Sequence, residues 1–282
     1  MRNSIEYISF VLALCMSISS LCGQEINILT YNIKYDNVND TVNNWNDRKA
    51  AMVDLLQYYD PGVIGMQEVL HHQLTFLDEQ LSNYNYIGVG RDDGKEKGEY
   101  SPILFNTKLY KLLKSETFWL SDTPSKISVG WDAAMERICT YGLFEDLNTG
   151  KQFLVFNTHF DHVGTVAREN SAKLIVSKIR EVNGDHLPVV LMGDLNLNPT
   201  EKPIQFLQNA LADGKSIAQK PFYGPTGTFS GFDHSRILTN RIDYIFVENF
   251  EVLEYLHIDD RMENNKHISD HLPVFAKLLM SK

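Results

Sequence analysis

The sequence predicts a strand-rich α/β fold in which packed β-sheets carry helices on their outer faces. Three observations lead there. Short runs of apolar and β-branched residues, most of them ending in polar residues, far outnumber the helical patterns between them. The 282 residues are 43% hydrophobic and 22% charged, enough to bury a large core without disulfides or a structural metal. No internal repeat and no long Gly/Ser or Pro-rich linker divides the chain, so one domain over residues 24–282 is the economical reading. A single doubly wound parallel sheet fits less well, because strands exceed helices by too wide a margin.

The chain opens with a processing segment. Arg2 precedes an apolar run from Ile8 to Met16, followed by Ser17, Ser19, Ser20 and Gly23, the order of a secretory signal peptide over residues 1–23. The mature protein would begin near Gln24, and a secreted or periplasmic location is expected. The run is too short to span a membrane, and no later stretch approaches the required length. Cys22 stands where a lipidated cysteine could sit, but Leu21 occupies the preceding position, where a small residue is expected. Cys139 is then alone in the mature chain and reads as a small buried residue, not as a nucleophile.

The first strand is expected at Ile26–Tyr31. A helix at Arg48–Tyr58 follows, with Ala51, Leu55 and Tyr58 on one side and Asn44 or Asn46 as its N-cap. Strands are expected next at Val63–Val69, Tyr84–Val89, Pro102–Asn106, Cys139–Glu145 and Phe153–His159. A second helix at Val166–Val182 aligns Ala172, Ile175, Val176 and Ile179 on one stripe. Strands at Val189–Leu195, Ile242–Val247 and Pro273–Leu279 complete the pattern. The stretches Arg91–Tyr100, Ser121–Arg137 and Lys220–Asn240 carry turn residues, and loops at strand ends are where such a fold builds a site.

Polar residues at the ends of apolar strands carry the chemistry. Asn32 follows Ile28–Tyr31, Glu68 follows Ile64–Gln67, His159 follows Leu154–Thr158, and Asp194 follows Val189–Gly193. Asp243 lies in Arg241–Tyr244, and Asp270 and His271 lie in Ser269–Val274. A carboxylate in an apolar strand is costly unless paired or metal-bound. Any one of these residues alone would read as a cap or turn; the repetition along one chain would not. Asp194 and Asn196 are two apart and share a face of an extended segment, so the acid can activate a water while the amide donates nearby. A simple turn before Pro199 is the competing reading. Asp243 and His271 make sense as a pair, the acid fixing the tautomer and raising the basicity of the imidazole. His71, His72, His186, His234, His257 and His267 sit in polar or turn contexts and read as ordinary surface residues.

Taken in order, Thr30–Asn32, Gln67–Val69, Asn157–His159, Gly193–Asn196, Arg241–Tyr244 and Ser269–His271 resemble the motifs of the endonuclease/exonuclease/phosphatase superfamily. That group includes DNase I, apurinic endonucleases, inositol polyphosphate phosphatases, sphingomyelinases and nocturnin-like deadenylases. The resemblance runs from about Ile26 to Leu279, and Leu195 departs from it where an aromatic usually follows the Asp. It implies a DNase I-like α/β fold, a four-layer sandwich of two mixed β-sheets flanked by α-helices, with the site at one edge. It also implies a divalent cation, magnesium with manganese as the substitute, because phosphoester hydrolysis needs a hard cation on oxygen ligands. Under the resemblance, Asn32, Glu68 and Asp270 are the expected metal ligands. His159, Asp194, Asn196, Asp243 and His271 form the catalytic group, with the general base left open between Asp194 and His271. Arg137 would grip phosphate, and Asp161 and His162 would either extend the polar pocket or belong to a local turn.

Lys and Arg number 26 against 36 Asp and Glu, a formal charge of -10 that the loss of Arg2 and Glu6 leaves unchanged. This balance argues against a long non-specific clamp on duplex DNA or an anionic membrane surface, although a bound cation can reverse the sign of a site locally. The leading expectation is a secreted, monomeric hydrolase acting on a phosphodiester or phosphomonoester substrate. A nocturnin-like 3′-to-5′ exoribonuclease is the alternative, resting on the strand motif that ends in His159; Trp119, Trp131 and Tyr100 could stack a base but suit packing equally well. An inactive phosphate-binding module would be marked by loss of Glu68, Asp194 or His271, and all three are present.

Overall fold

The structure, a computed structural model, describes residues 25–280; the expected signal segment lies outside them. From the amino-terminal side, β1 (Glu25–Asn32) leads through α1 (Trp45–Tyr59) into β2 (Val63–Gln67). Then come α2 (His71–Gln80), β3 (Tyr84–Ile87), β4 (Ile103–Asn106), β5 (Tyr110–Trp119), β6 (Ile138–Asp146) and β7 (Gln152–His159). α3 (Thr165–Val182) connects to β8 (Val189–Asp194), followed by α4 (Lys202–Ala210), the short β9 (Ala212–Asp213) and the single-turn α5 (Gly214–Ile217). β10 (Asp243–Glu248), β11 (Phe250–His257) and β12 (Val274–Met280) complete the order.

The strands form two 6-stranded sheets, in the orders β11-β12-β1-β2-β4-β3 and β5-β6-β7-β8-β10-β9. Each is mixed in the same way: β1 and β2 are parallel in the first, β7 and β8 in the second, and every other neighbour is antiparallel. A parallel pair needs a crossover, and α1 and α3 supply the two crossovers. Asn32 consequently lies beside Gln67 in register, His159 beside Asp194, and Asp243 opposite Asp194. The polar ends noted in the sequence are therefore gathered at the carboxyl ends of both parallel pairs, where open α/β sheets place ligands.

The layers follow from side-chain alternation. Ile26 and Ile28 of β1 point into a core shared with Val155, Val190 and Met192 of the other sheet. Leu29 and Tyr31 point the other way, onto Met52, Leu56, Leu74 and Leu77 of α1 and α2. On the far side, Leu154, Phe156 and Leu191 meet Ile175, Ile179, Ile204 and Leu207 of α3 and α4. This is the expected sandwich of two mixed sheets flanked by helices. Asn44 caps α1 by accepting from the Asp47 N–H, as its sequence position suggested.

A small polar cluster around Asn157 crosses the apolar space between the sheets. Gln67 Nε2 donates to Asn157 Oδ1 at 2.6 Å and to Thr30 Oγ1 at 3.0 Å. Asn157 Nδ2 donates to the carbonyls of Met66 and Pro102 at 2.7 and 2.8 Å. Gly65 makes room for it, since a Cβ there would stand 2.8 Å from the Asn157 amide.

Several expectations need amendment. The strand expected to reach Val69 stops at Gln67, because Glu68 turns into the left-handed region at φ 61°. β5 and β11, both edge strands, and the helices α2 and α4 were not foreseen. His257 and His267 are each 1% exposed, so they are core residues and not surface ones. Tyr100 and Trp119 are buried as well, so for these two the packing alternative holds over base stacking. Among the described residues, no helix is long and apolar enough to cross a membrane.

Candidate active site

The strand ends converge on a cavity of about 630 Å³. Glu68, His159, Asp194, Asn196, Asp270 and His271 line it, and Arg137 and His162 stand on one wall. Asn32, Asp243 and Asp161 are buried behind these, each bonded to a lining residue.

Asp194, at the end of β8, is the hub. Its Oδ2 accepts from Asn32 Nδ2 at 3.0 Å and its Oδ1 from the Asn196 N–H at 2.9 Å. Two imidazoles flank it, with His159 Nε2 at 3.4 Å and His271 Nε2 at 3.6 Å. Burial, reinforced by the nearby charge of Asp243, pushes the Asp194 carboxyl up to about 7 despite His271 and the two asparagines.

The imidazoles differ in charge. Burial disfavours protonation of both, but Asp243 and Asp194 outweigh it at His271 and hold that ring well above its ordinary range. Asp243 Oδ2 meets His271 Nδ1 at 2.9 Å, which fixes the ring orientation. At His159, burial is joined by the positive charges of Arg137 and Arg91, and the ring is held well below its ordinary range, hence neutral. Asn196 Nδ2 donates to the Phe160 carbonyl at 3.0 Å and faces His159 Nε2 at 3.1 Å. Asp194 Oδ2 stands 3.4 Å from the same nitrogen, so Nε2 faces one donor and one acceptor. His159 Nδ1 is buried, has no hydrogen-bond partner among the described residues, and lies 3.9 Å from Glu99 Oε2.

On the other sheet, Glu68 Oε1 accepts from Asn32 Nδ2 at 3.1 Å and Oε2 from the Tyr35 N–H at 3.1 Å, with Lys34 Nζ 3.5 Å away. Burial would raise its carboxyl, but Lys34, His271 and the two hydrogen bonds prevail and hold it below the usual range. Both Glu68 and Asn196 sit at positive φ, 61° and 50°, a conformation uncommon outside glycine. Strain of this kind collects at functional positions. Asn32 presents its nitrogen to the two acids while its oxygen accepts from the Lys34 N–H at 3.0 Å, so it bridges Glu68 and Asp194 across the sheets.

Two sets of groups have the chemistry to hold a cation. Asp194, Asp243 and His271 bring ligand atoms within 4.8 Å of one another. A protonated imidazole clamped between two acids, however, offers no free lone pair to a metal. Glu68 and Asp270 instead offer oxygen alone, the donor type of magnesium. Burial and the charge of Glu68 raise the Asp270 carboxyl, the signature of two acids that a divalent cation would relieve.

Arg137 is 4% exposed. Its Nε lies 3.4 Å from Asp161 Oδ1 and its Nη2 3.1 Å from His162 Nδ1, while Nη1 has no partner among the described residues. Asp161 takes the turn role, the second of its two expected readings, and not the pocket role. Its carboxylate accepts from the Val163, Gly164 and Ala134 N–H groups, so it caps a turn and braces Arg137 instead of facing the cavity. Sequence reasoning missed Lys34, Arg91 and Glu99, which also line the cavity. The turn-rich stretch from Arg91 to Tyr100 was the one signal that pointed to two of them.

A family model described as Endonuclease/Exonuclease/phosphatase family matches residues 29–271. The structure resembles an endonuclease/exonuclease/phosphatase family protein of Bacteroides thetaiotaomicron, with TM-score 0.88 and 37% identity over 92% of this chain and 99% of that one. It also resembles the mannosyl-6-phosphatase of the same organism, with TM-score 0.87 and 37% identity over 90% of this chain and 100% of that one. A probable RNA exonuclease of Saccharomyces cerevisiae is 28% identical over 56% of this chain but only 33% of its own length. With matched motifs, fold and site in agreement, the chain belongs to the Endonuclease/Exonuclease/phosphatase family, whose members are hydrolases acting on phosphoesters.

Proposed function

We propose that the chain is a magnesium-dependent hydrolase of small phosphomonoesters, with sugar phosphates as the first substrate class. The observation that carries this reading is the geometry of the hub at Asp194, whose carboxylate stands 3.4 Å from His159 Nε2 and 3.6 Å from His271 Nε2 in a cavity that Glu68 and Asp270 also line. Likeness to a mannosyl-6-phosphatase over nearly the whole chain supports the substrate class. The exported location rests on the amino-terminal sequence pattern.

Glu68 and Asp270 would hold the cation, which when bound neutralises charge on the phosphate. Asp194 accepts the proton of the attacking water, since its affinity matches the operating range and His271 is already protonated. Asn32 and the Asn196 N–H keep that carboxylate in place. His271, oriented by Asp243, directs its Nε2–H toward the phosphate oxygens and stabilises their charge. Arg137, braced by Asp161, supplies a second cationic donor from the wall shared with His162.

The exoribonuclease reading is second, supported by the resemblance to a probable RNA exonuclease. A net charge of -10 favours the small substrate, because few phosphates must be neutralised. The test is turnover of a hexose 6-phosphate, a small phosphodiester and single-stranded RNA, each with magnesium and with EDTA. Metal-dependent preference for the sugar phosphate, with a shallow salt dependence, is expected. Strong preference for RNA with a steep fall in rate as salt rises would overturn the proposal.

A further inference from the structure

Arg91 and Glu99 form one wall of the cavity, and beyond the charge that Arg91 sets near His159 no role has been assigned to them above. Both belong to the connection between β3 and β4. Arg91 Nη1 and Nη2 donate to the two oxygens of Glu99 at 2.8 and 2.9 Å. This fork occupies the end of the guanidinium, leaving Arg91 poorly placed to grip a phosphate. Each carboxylate oxygen keeps a lone pair, and the Glu99 side chain is 16% exposed. An acid on the wall of a phosphate site repels a second phosphate and attracts hydroxyl donors. The cavity, at about 630 Å³, is far larger than a phosphate fills and extends along this wall.

We infer that Glu99, held in place by Arg91, accepts hydrogen bonds from hydroxyl groups of the leaving group and so selects polyhydroxylated phosphate esters over esters that lack hydroxyls. The inference rests on the phosphomonoesterase reading and adds the residue that reads the rest of the substrate. Glu99 also lies 3.9 Å from His159 Nδ1, so a role exerted through that imidazole is the alternative the experiment must separate.

The experiment compares kcat/KM for a hexose 6-phosphate and for p-nitrophenyl phosphate, at saturating magnesium, in the wild type and in Glu99→Gln. A hydroxyl bonded to a charged acceptor is worth roughly a factor of ten to a hundred. The sugar-to-aryl ratio is expected to fall about tenfold or more, mainly through KM for the sugar phosphate. Thermal melting of the variant checks its folding. If it does not fold, Arg91→Lys, which keeps a cation but loses the fork, carries the same ratio test. Equal losses on both esters with a shifted pH profile would overturn the inference and assign Glu99 to His159. An unchanged ratio would overturn it too. A wild type inactive on both esters would instead remove the phosphomonoesterase reading, and this inference with it.

Discussion

Asp243 and His271 share a buried hydrogen bond of 2.9 Å, with Asp243 fully enclosed and its other oxygen without a partner. The side-chain hydrogen bond of the acid toward the cavity therefore runs through the imidazole. Asp243→Asn is expected to lower kcat by about 10²- to 10⁴-fold, the range of a misoriented or wrongly protonated catalytic histidine. The double variant with His271→Ala should be little worse than His271→Ala alone. Steady-state kinetics on the single and double variants check this, and multiplicative losses would mean that the two residues act independently.

Glu68 is held at a strained φ of 61° with its carboxylate kept charged by Lys34 and its hydrogen bonds. Glu68→Gln removes negative charge from an oxygen site while keeping the shape of the side chain. Magnesium is expected to raise the melting temperature of the wild type, as any ligand of the native state does, and to leave that of the variant almost unchanged. Activity should fall by at least about 10²-fold. A variant that keeps the wild-type magnesium shift would remove Glu68 from the cation site.

Arg241 belongs to one of the recurring motifs, yet it points away from the cavity. Its guanidinium forks onto Asp213, with Nη1 2.9 Å from Oδ2 and Nη2 2.5 Å from Oδ1, and both side chains are buried. Asp213→Asn leaves a buried guanidinium without its counter-charge and should destabilise the fold by about 3–5 kcal/mol. Urea denaturation measures the loss. Replacing both partners with apolar residues of similar volume should cost much less.

His257 gives the fold a sensitivity to acid. Its Nδ1 lies 2.7 Å from the Pro225 carbonyl, its Nε2 has no partner, and burial brings the ring down to about 3. Between that value and the ordinary 6.5, the unfolded chain binds the proton and the native chain does not. Its contribution is therefore complete above 6.5 and declines as the pH falls toward 3, by about 1.4 kcal/mol per pH unit. His257→Asn, which keeps a donor for the carbonyl, should flatten the fall in urea stability over that window. An equal slope in both proteins would assign the acid sensitivity elsewhere.

What the sequence revealed, and what it hid, follows from burial. Strands covered on both faces, such as β1, β2, β7 and β8, leave uninterrupted apolar runs, so the polar residue that ends each run stands out. β5 lies at a sheet edge with Lys111, Lys114, Ser115 and Glu116 exposed, and its run is too polar to read as a strand. In β11 a bulge between Val252 and Glu254 breaks the alternation that would have marked it. His257 and His267 are buried by contacts made far away in sequence, and nothing in their neighbours announces that. Arg91 and Glu99 meet only because their loop doubles back between Gly90 and Tyr100; no periodicity encodes such a meeting. Asn32, Glu68, Asp194 and His271 were legible because a costly residue type at the end of an apolar run needs a reason.

The amide contact between Gln67 and Asn157 has a consequence for how this molecule fails. Hydrocarbon layers are nearly indifferent to a small slide of one over the other, whereas a hydrogen bond of 2.6 Å is not. The pair works as a dowel, and Glu68 and His159 are mounted within two residues of it on opposite sheets. Substitutions that overfill the core between the sheets press first on the dowel. A displacement of one ångström at reacting groups can cost about 10²-fold in rate, while the same displacement of packed methyl groups is absorbed by rotamers. Damage to that core should therefore appear as lost turnover well before it appears as lost folding.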